Sequence, residues 1–302
     1  MRWRPRPERR HAWVRAGLAG VLALLIAAAA PADDDDDDDD EEDTPAAVLP
    51  GPGGAAVAPG GTGAAPAPKD AERALRLDAG LGPYAYPLYP GSRRYGVLPY
   101  PLVTLDYAGR VEVDSLDGAR FTLLELGNVS LGPAIRYRFG RQLGDDPARL
   151  AGLRSFGPSV EPGGFLRWEK GPLTLDAVLT QDMTQHQKGA VLTLAGYYAG
   201  EHRGIGFEAG PYLQATTGAY TKSFYGVPEG PGTALPAYRT HAGWERVGAE
   251  AVVSIPIGGR WSVQLVGEYG YLLGSAAHSP IVAQGGTRNL VFGGAFLSYG
   301  WP

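Results

Sequence analysis

From residue 75 onward, apolar and polar side chains alternate along the chain with a period of two. Leu75, Leu77, Ala79 and Leu81 share one parity, and Arg76, Asp78, Gly80 and Gly82 the other. Leu131, Pro133, Ile135, Tyr137 and Phe139 oppose Ser130, Gly132, Ala134, Arg136 and Arg138. Leu173, Leu175, Ala177 and Leu179 oppose Thr174, Asp176 and Thr180, with Val178 breaking the rule. The same rhythm runs through residues 205–216, 249–255 and 261–271. Such alternation predicts strands that each present one apolar and one polar face. Twelve are read: 75–82, 97–107, 110–115, 119–126, 129–139, 163–170, 173–182, 189–198, 205–216, 246–255, 260–272 and 289–300.

Tight turns at Ala108-Gly109, Asp117-Gly118, Lys170-Gly171-Pro172 and Gly258-Gly259 separate several of them. Short hairpins of this kind predict antiparallel, up-and-down order. Strands of about ten residues suit a tilted crossing of a bilayer. Trp168, Tyr197, Tyr198, Trp261, Tyr269, Tyr271, Tyr299 and Trp301 lie near strand ends, where the aromatic girdles of outer-membrane barrels sit. The fold class expected is therefore all-β, an antiparallel up-and-down transmembrane β-barrel of about 12 strands. Three long connections, 141–162, 219–243 and 274–288, are placed on the outer face and the tight turns on the periplasmic side.

Composition agrees and adds a leader. The 45 Gly and 26 Pro argue against an all-α protein, and the lack of Cys excludes disulfides, thiolate metal sites and cysteine nucleophiles. Six arginines, an apolar stretch over 16–30 and Ala30-Pro31-Ala32 have the layout of a secretory signal. Residues 33–43 are an unbroken acidic run, followed by a Pro-, Gly- and Ala-rich segment with too little apolar bulk to fold. The expected organisation is a signal peptide over 1–32, a disordered acidic and Pro/Gly/Ala-rich tail over 33–74, and a barrel over 75–302. The acidic run is read as a solvated spacer. The remainder is close to neutral, which speaks against nucleic-acid binding.

If the apolar parity faces lipid, the polar parity lines an enclosed interior. The lumen-lining candidates are Arg76, Asp78, Arg136, Arg138, Arg167, Asp176, Glu208, Glu250 and Glu268, a mixture of signs that favours a cross-linked, narrow lumen over a wide pore. No nucleophile elbow, zinc-protease string or phosphate loop occurs, so no catalytic, cofactor-binding or metal-binding residues are expected. His202 beside Glu201 and His186 with Asp182 are chance loop pairs on this reading. In the long loops, Phe224, Tyr225 and Tyr238 are apolar anchors, either for a partner or for capping the barrel mouth.

Several strings resemble the MipA/OmpV family of Gram-negative outer-membrane proteins. They are Tyr89-Pro90-Gly91-Ser92 with Val97-Leu98-Pro99-Tyr100-Pro101, and Leu131-Gly132-Pro133-Ala134 with Phe139-Gly140-Arg141 and Leu150-Ala151-Gly152-Leu153. Phe224-Tyr225-Gly226-Val227, Leu235-Pro236-Ala237-Tyr238, Leu272-Leu273-Gly274 and Ser279-Pro280-Ile281-Val282 continue the series in order. Ser275 stands where the family tends to have Asp, and Trp301 is one place from the end. The resemblance implies a non-catalytic protein of the outer membrane, in contact with its lipid and lipopolysaccharide. It also implies a scaffold joining a murein transglycosylase to a murein synthase. A small-solute or osmotic-response channel and a surface adhesin are the alternatives.

Overall fold

The computed structural model describes residues 75–184, 189–230 and 232–301. The expectations for residues 1–74, the pairing of His186 with Asp182, and Pro302 lie outside the described residues. The strands are β1 (Leu75–Pro87), β2 (Tyr95–Tyr107), β3 (Val111–Asp114), β4 (Gly118–Phe121), β5 (Leu124–Leu126), β6 (Val129–Arg138) and β7 (Ser159–Lys170). They continue as β8 (Leu173–Gln181), β9 (Ala190–His202), β10 (Ile205–Thr216), β11 (Gly243–Gly258), β12 (Trp261–Leu272) and β13 (Asn289–Trp301). Apart from β4 and β5, strands consecutive in sequence pair antiparallel, and β1 also pairs with β13, with Leu77 opposite Trp301. β4 and β5 are two parts of one wall strand interrupted at Thr122 and Leu123, and both pair with β6. The result is a closed barrel of 12 wall strands.

All five connections at one end are tight. Ala108 and Gly109 have φ of 57° and 64°, and Arg203 and Gly204 have 54° and 81°. Two successive left-handed residues make the type I′ turn whose twist matches the flanking strands. The other end carries the long connections, which contain α1 (Pro147–Leu150), α2 (Gly218–Tyr225), α3 (Gly274–His278) and α4 (Pro280–Ala283). The first of these is shorter than expected. Glu161 and Pro162 continue the β7 ladder opposite Arg136 and Ile135, and Ser159 and Glu161 turn inward.

Burial follows strand parity. Leu81, Leu166, Leu175, Leu179, Leu194, Leu265 and Leu297 lie exposed on the outer wall. Trp261, Tyr299 and Trp301 form a chain of edge-to-face rings near the tight-turn end, at centroid distances of 5.1 and 4.7 Å. Tyr197 departs from the girdle reading: it is buried inside, and only its neighbour Tyr198 faces out. The interior is also less uniformly polar than alternation implies. Val178, the exception in its strand, is an inward residue packed with Ala134 and Phe165. Phe292 and Phe296 likewise point inward, into an apolar cluster with Tyr84, Tyr86, Leu102, Leu272 and Leu290.

Glycines make room for the large inward rings. Gly248 and Gly270 face each other across β11 and β12, and the ring of Tyr212 occupies the hollow they leave. A Cβ on Gly248 would stand 2.6 Å from the Tyr212 ring and 2.2 Å from the Tyr269 carbonyl. Gly248→Val is therefore expected to lower stability by about 1–3 kcal/mol through overpacking. Gly267→Val, where a Cβ meets nothing within 4 Å, should leave it unchanged. Urea midpoints of the refolded barrel, read by heat-modifiable migration on gels, check both.

Candidate functional site

Two networks of buried charge cross the interior. In the first, Arg120 on β4 donates to Asp117 and to Asp176 of β8, both at 2.6 Å. Arg136 on β6 meets the other Asp117 oxygen at 2.8 Å and donates to Thr193 of β9. Arg167 on β7 holds both oxygens of Glu112 on β3, at 2.8 and 2.9 Å. The guanidiniums of Arg120 and Arg167 both lie over the ring of Phe165, 5.7 and 5.9 Å from its centroid. Arg138 grips Glu161 in a two-pronged pair at 2.6 and 2.9 Å, and Thr180 donates to the same carboxylate. Fork-to-carboxylate geometry of this kind gives the strongest charge-assisted bonds.

The second network occupies β9 to β12. Glu250 and Glu268 stand directly opposite each other, an arrangement that repels unless each carboxylate finds its own donor. Tyr197 donates to Glu250 at 3.2 Å, while Tyr212 and Arg246 donate to Glu268 at 2.6 and 3.3 Å. A bulge opposite Gln214 and Ala215 inserts Glu245 as an extra residue in β11, so that Glu245 and Arg246 are both buried although adjacent.

Of the sequence-derived lining candidates, Arg136, Arg138, Arg167, Asp176, Glu208, Glu250 and Glu268 are buried. All of these except Glu208 take part in the contacts above. Arg76 and Asp78 share the inward parity of Tyr84 and Tyr86, but they sit near the tight-turn end, only half-buried, and join neither network. The lining candidates do not include Arg120, Tyr212 or Arg246, which lie on the inward parity, and four further participants were hidden from alternation. Glu161 fell in a presumed loop, Asp117 in a turn, and Tyr197 in a presumed girdle, while the bulge hides Glu245.

At the mouth, the long loops fold back. Phe224 and Tyr225 of α2 are 2% and 0% exposed, so their rings are spent on capping and are not presented to a partner. Tyr225 donates to Glu245, and Ser279, the N-cap of α4, donates to the Tyr225 carbonyl. Val227 and Tyr238 form a two-way backbone bridge. Tyr89, Leu150, Leu153, Val227 and Ile281 pack in one apolar cluster, with Tyr238 against it. Five of the family-like strings thus converge here. Ser275 accepts from the His241 backbone and, through its carbonyl, from the Tyr238 hydroxyl.

Beside the cap lies a cleft of about 520 Å³, lined among others by Thr216, Tyr238, His241, Trp244, Glu245, Ser275 and His278. His202 and Glu201 are successive, exposed residues at the opposite end, and strand geometry turns them to opposite faces. Among the described residues no cluster of three or more His, Asp or Glu could hold a metal.

Removing one partner from a buried pair leaves an uncompensated charge, which typically costs about 3–5 kcal/mol. Arg120→Met is expected to destabilise the barrel by that amount, whereas Arg239→Met, at the exposed pair with Glu229, should not shift the urea midpoint. The cap supplies a pH prediction. Burial raises the phenol pKa of Tyr89, Tyr220 and Tyr225, with the Asp146 and Glu245 carboxylates adding to the rise at Tyr89 and Tyr225. A phenol raised in the folded state stabilises fully below the unfolded value of about 10, and that stability is lost as pH climbs toward the folded value. The cap should therefore open above pH about 10, seen as delayed phenolate absorbance and new proteolysis at Lys222.

No curated protein matches the chain. A solved structure described as a bacterial polysaccharide outer membrane secretin aligns over 76% of this chain and 98% of its own, at 11% identity and a TM-score of 0.31. That overlap is too loose to carry an argument. The family model described as "MltA-interacting protein MipA" matches residues 79–301, nearly the whole barrel. By that match, the chain belongs to the MipA family.

Proposed function

We propose that this protein is a non-catalytic integral barrel of the Gram-negative outer membrane. On this reading it does not conduct and instead serves as a scaffold for a murein transglycosylase and a murein synthase. One observation carries the proposal. The interior is crossed by buried ion pairs and its mouth is capped by α2, while the outer wall exposes large apolar side chains along nearly every strand. Exposed apolar side chains in that arrangement fit a lipid-facing band. A blocked lumen fits a structural role better than passage of solutes. The description of the matching family as an MltA-interacting protein supports the transglycosylase as partner. Murein enzymes work on the periplasmic side, where this reading places the five tight turns.

Two measurements on the full chain test it. In planar bilayers the purified protein should give no stable openings, and envelopes crosslinked before extraction should yield a murein transglycosylase with it. Nanosiemens-scale openings would replace the scaffold with the channel reading. Deleting residues 33–43 should change neither assembly nor partner recovery if that run is only a spacer.

A further inference from the structure

The barrel wall has a low point. β2 is 13 residues long, but its neighbour β3 has 4, and the β3–β4 hairpin turns back at 115–117. Four residues rise about 13 Å, far short of the roughly 30 Å of a hydrocarbon core. β3 pairs with β2 only over residues 104–107, and Ser115 extends the contact to Val103 and Pro101. Above that, residues 95–100 of β2 have no described strand on the side away from β1. On the far lip, β4 pairs with β6 only at Ala134 and Ile135, leaving Arg136 to Arg138 paired with β7 alone. The loop after β6 roofs the gap, with Arg94 donating to the Asp145 carbonyl and Tyr89 to the Asp146 carboxylate. The result is a window in the wall.

The free edge is adapted to remaining unpaired. The carbonyls of Val103 and Pro101 point to the β3 side, so the alternate residues Pro99 and Pro101 present their missing N–H groups to the gap. Prolines there block the addition of a further strand, which argues against a second copy or a β-partner as occupant. The edge cannot stay bare in hydrocarbon either, because unmet carbonyls are costly in lipid. The near lip is apolar, with Val97 68% exposed. Leu98 and Tyr100, which share the inward parity of Leu102, remain part-exposed at the opening, and the Tyr84 ring lies 5.5 Å behind Tyr100. Arg94 stands exposed at the upper rim, and Arg93 beside it is exposed with its Nε donating to the Gly286 carbonyl at 2.8 Å.

We propose that this window is a lipid-binding site. It takes a bilayer lipid with an anionic phosphate headgroup, the phosphate beside Arg93 and Arg94 and one acyl chain entering the gap against Leu98 and Tyr100. The site rests on the membrane reading above and goes beyond it. The test uses the full chain, reconstituted in vesicles of phosphatidylglycerol or of phosphatidylcholine, with a photoreactive benzophenone side chain at one position at a time. At Leu194, which faces out from the intact wall, a lipid adduct is expected if the barrel sits in the bilayer at all. At Gln264, which faces inward behind intact wall, none is expected. At Leu98, which also faces inward, an adduct is expected only if the window admits a chain. Labelling at Leu194 without labelling at Leu98 overturns the window, and no labelling at Leu194 overturns the membrane reading instead. Arg93→Ala and Arg94→Ala should each lower the Leu98 adduct in phosphatidylglycerol about fivefold, the factor equivalent to about 1 kcal/mol per basic residue at an anionic surface. Equal yields in both lipids, unaffected by these substitutions, would overturn the headgroup assignment.

Discussion

Closure of the backbone hydrogen-bond ring is the constraint on which the rest of this structure depends. A strand segment in hydrocarbon has no water to satisfy its amides, so each strand must find two neighbours, and the last must find the first. The pairing of β1 with β13 meets that demand, and it fixes which parity of every strand is enclosed. Once the ring is closed, side chains on one face have only each other to bind. The leucines on the other face need no partners at all.

The enclosed face resolves into two regions with different physics. Toward β3–β9 the space is filled by guanidinium–carboxylate pairs, which are rigid and directional. Such pairs are close to neutral in net energy against an apolar filling, yet costly to break singly. They therefore define one arrangement of the interior more than they deepen its stability. Toward β12, β13, β1 and β2, aromatic and aliphatic side chains fill the space and merge with α2. The Glu245 bulge links the regions, because it brings a carboxylate to the Tyr225 hydroxyl while Arg246 reaches Glu268. Cap and wall are thus joined through one extra residue in one strand.

A departure from complete pairing among the described residues lies beside the short β3–β4 hairpin. Pro99 and Pro101 on the facing edge of β2 belong to the string Val97-Leu98-Pro99-Tyr100-Pro101, which resembles the MipA family, and the wall geometry supplies a physical reason for them. An edge without a neighbour benefits from losing donors it could not satisfy. The other family-like strings have a second explanation, since Tyr89, Leu150, Val227 and Ile281 build one cluster at the mouth.

What the chain determined by itself was local in origin. Period-two alternation and tight Gly turns specify strand number, antiparallel order and the two faces, because both signals arise between residues a few positions apart. The segment 119–126 was legible as one strand, and its break at Thr122 and Leu123 was not. The lining residues could be listed by parity, but their partners could not: Arg120 and Asp176 are 56 positions apart, as are Tyr212 and Glu268. Alternation also cannot distinguish an inward Phe292 from an outward leucine, since both are apolar and only the closed ring says which side is enclosed. Tertiary structure alone decided the capping role of Phe224 and Tyr225, the inward turn of Glu245 and the height of the wall beside β2. Each depends on contacts between segments that meet only when the barrel closes.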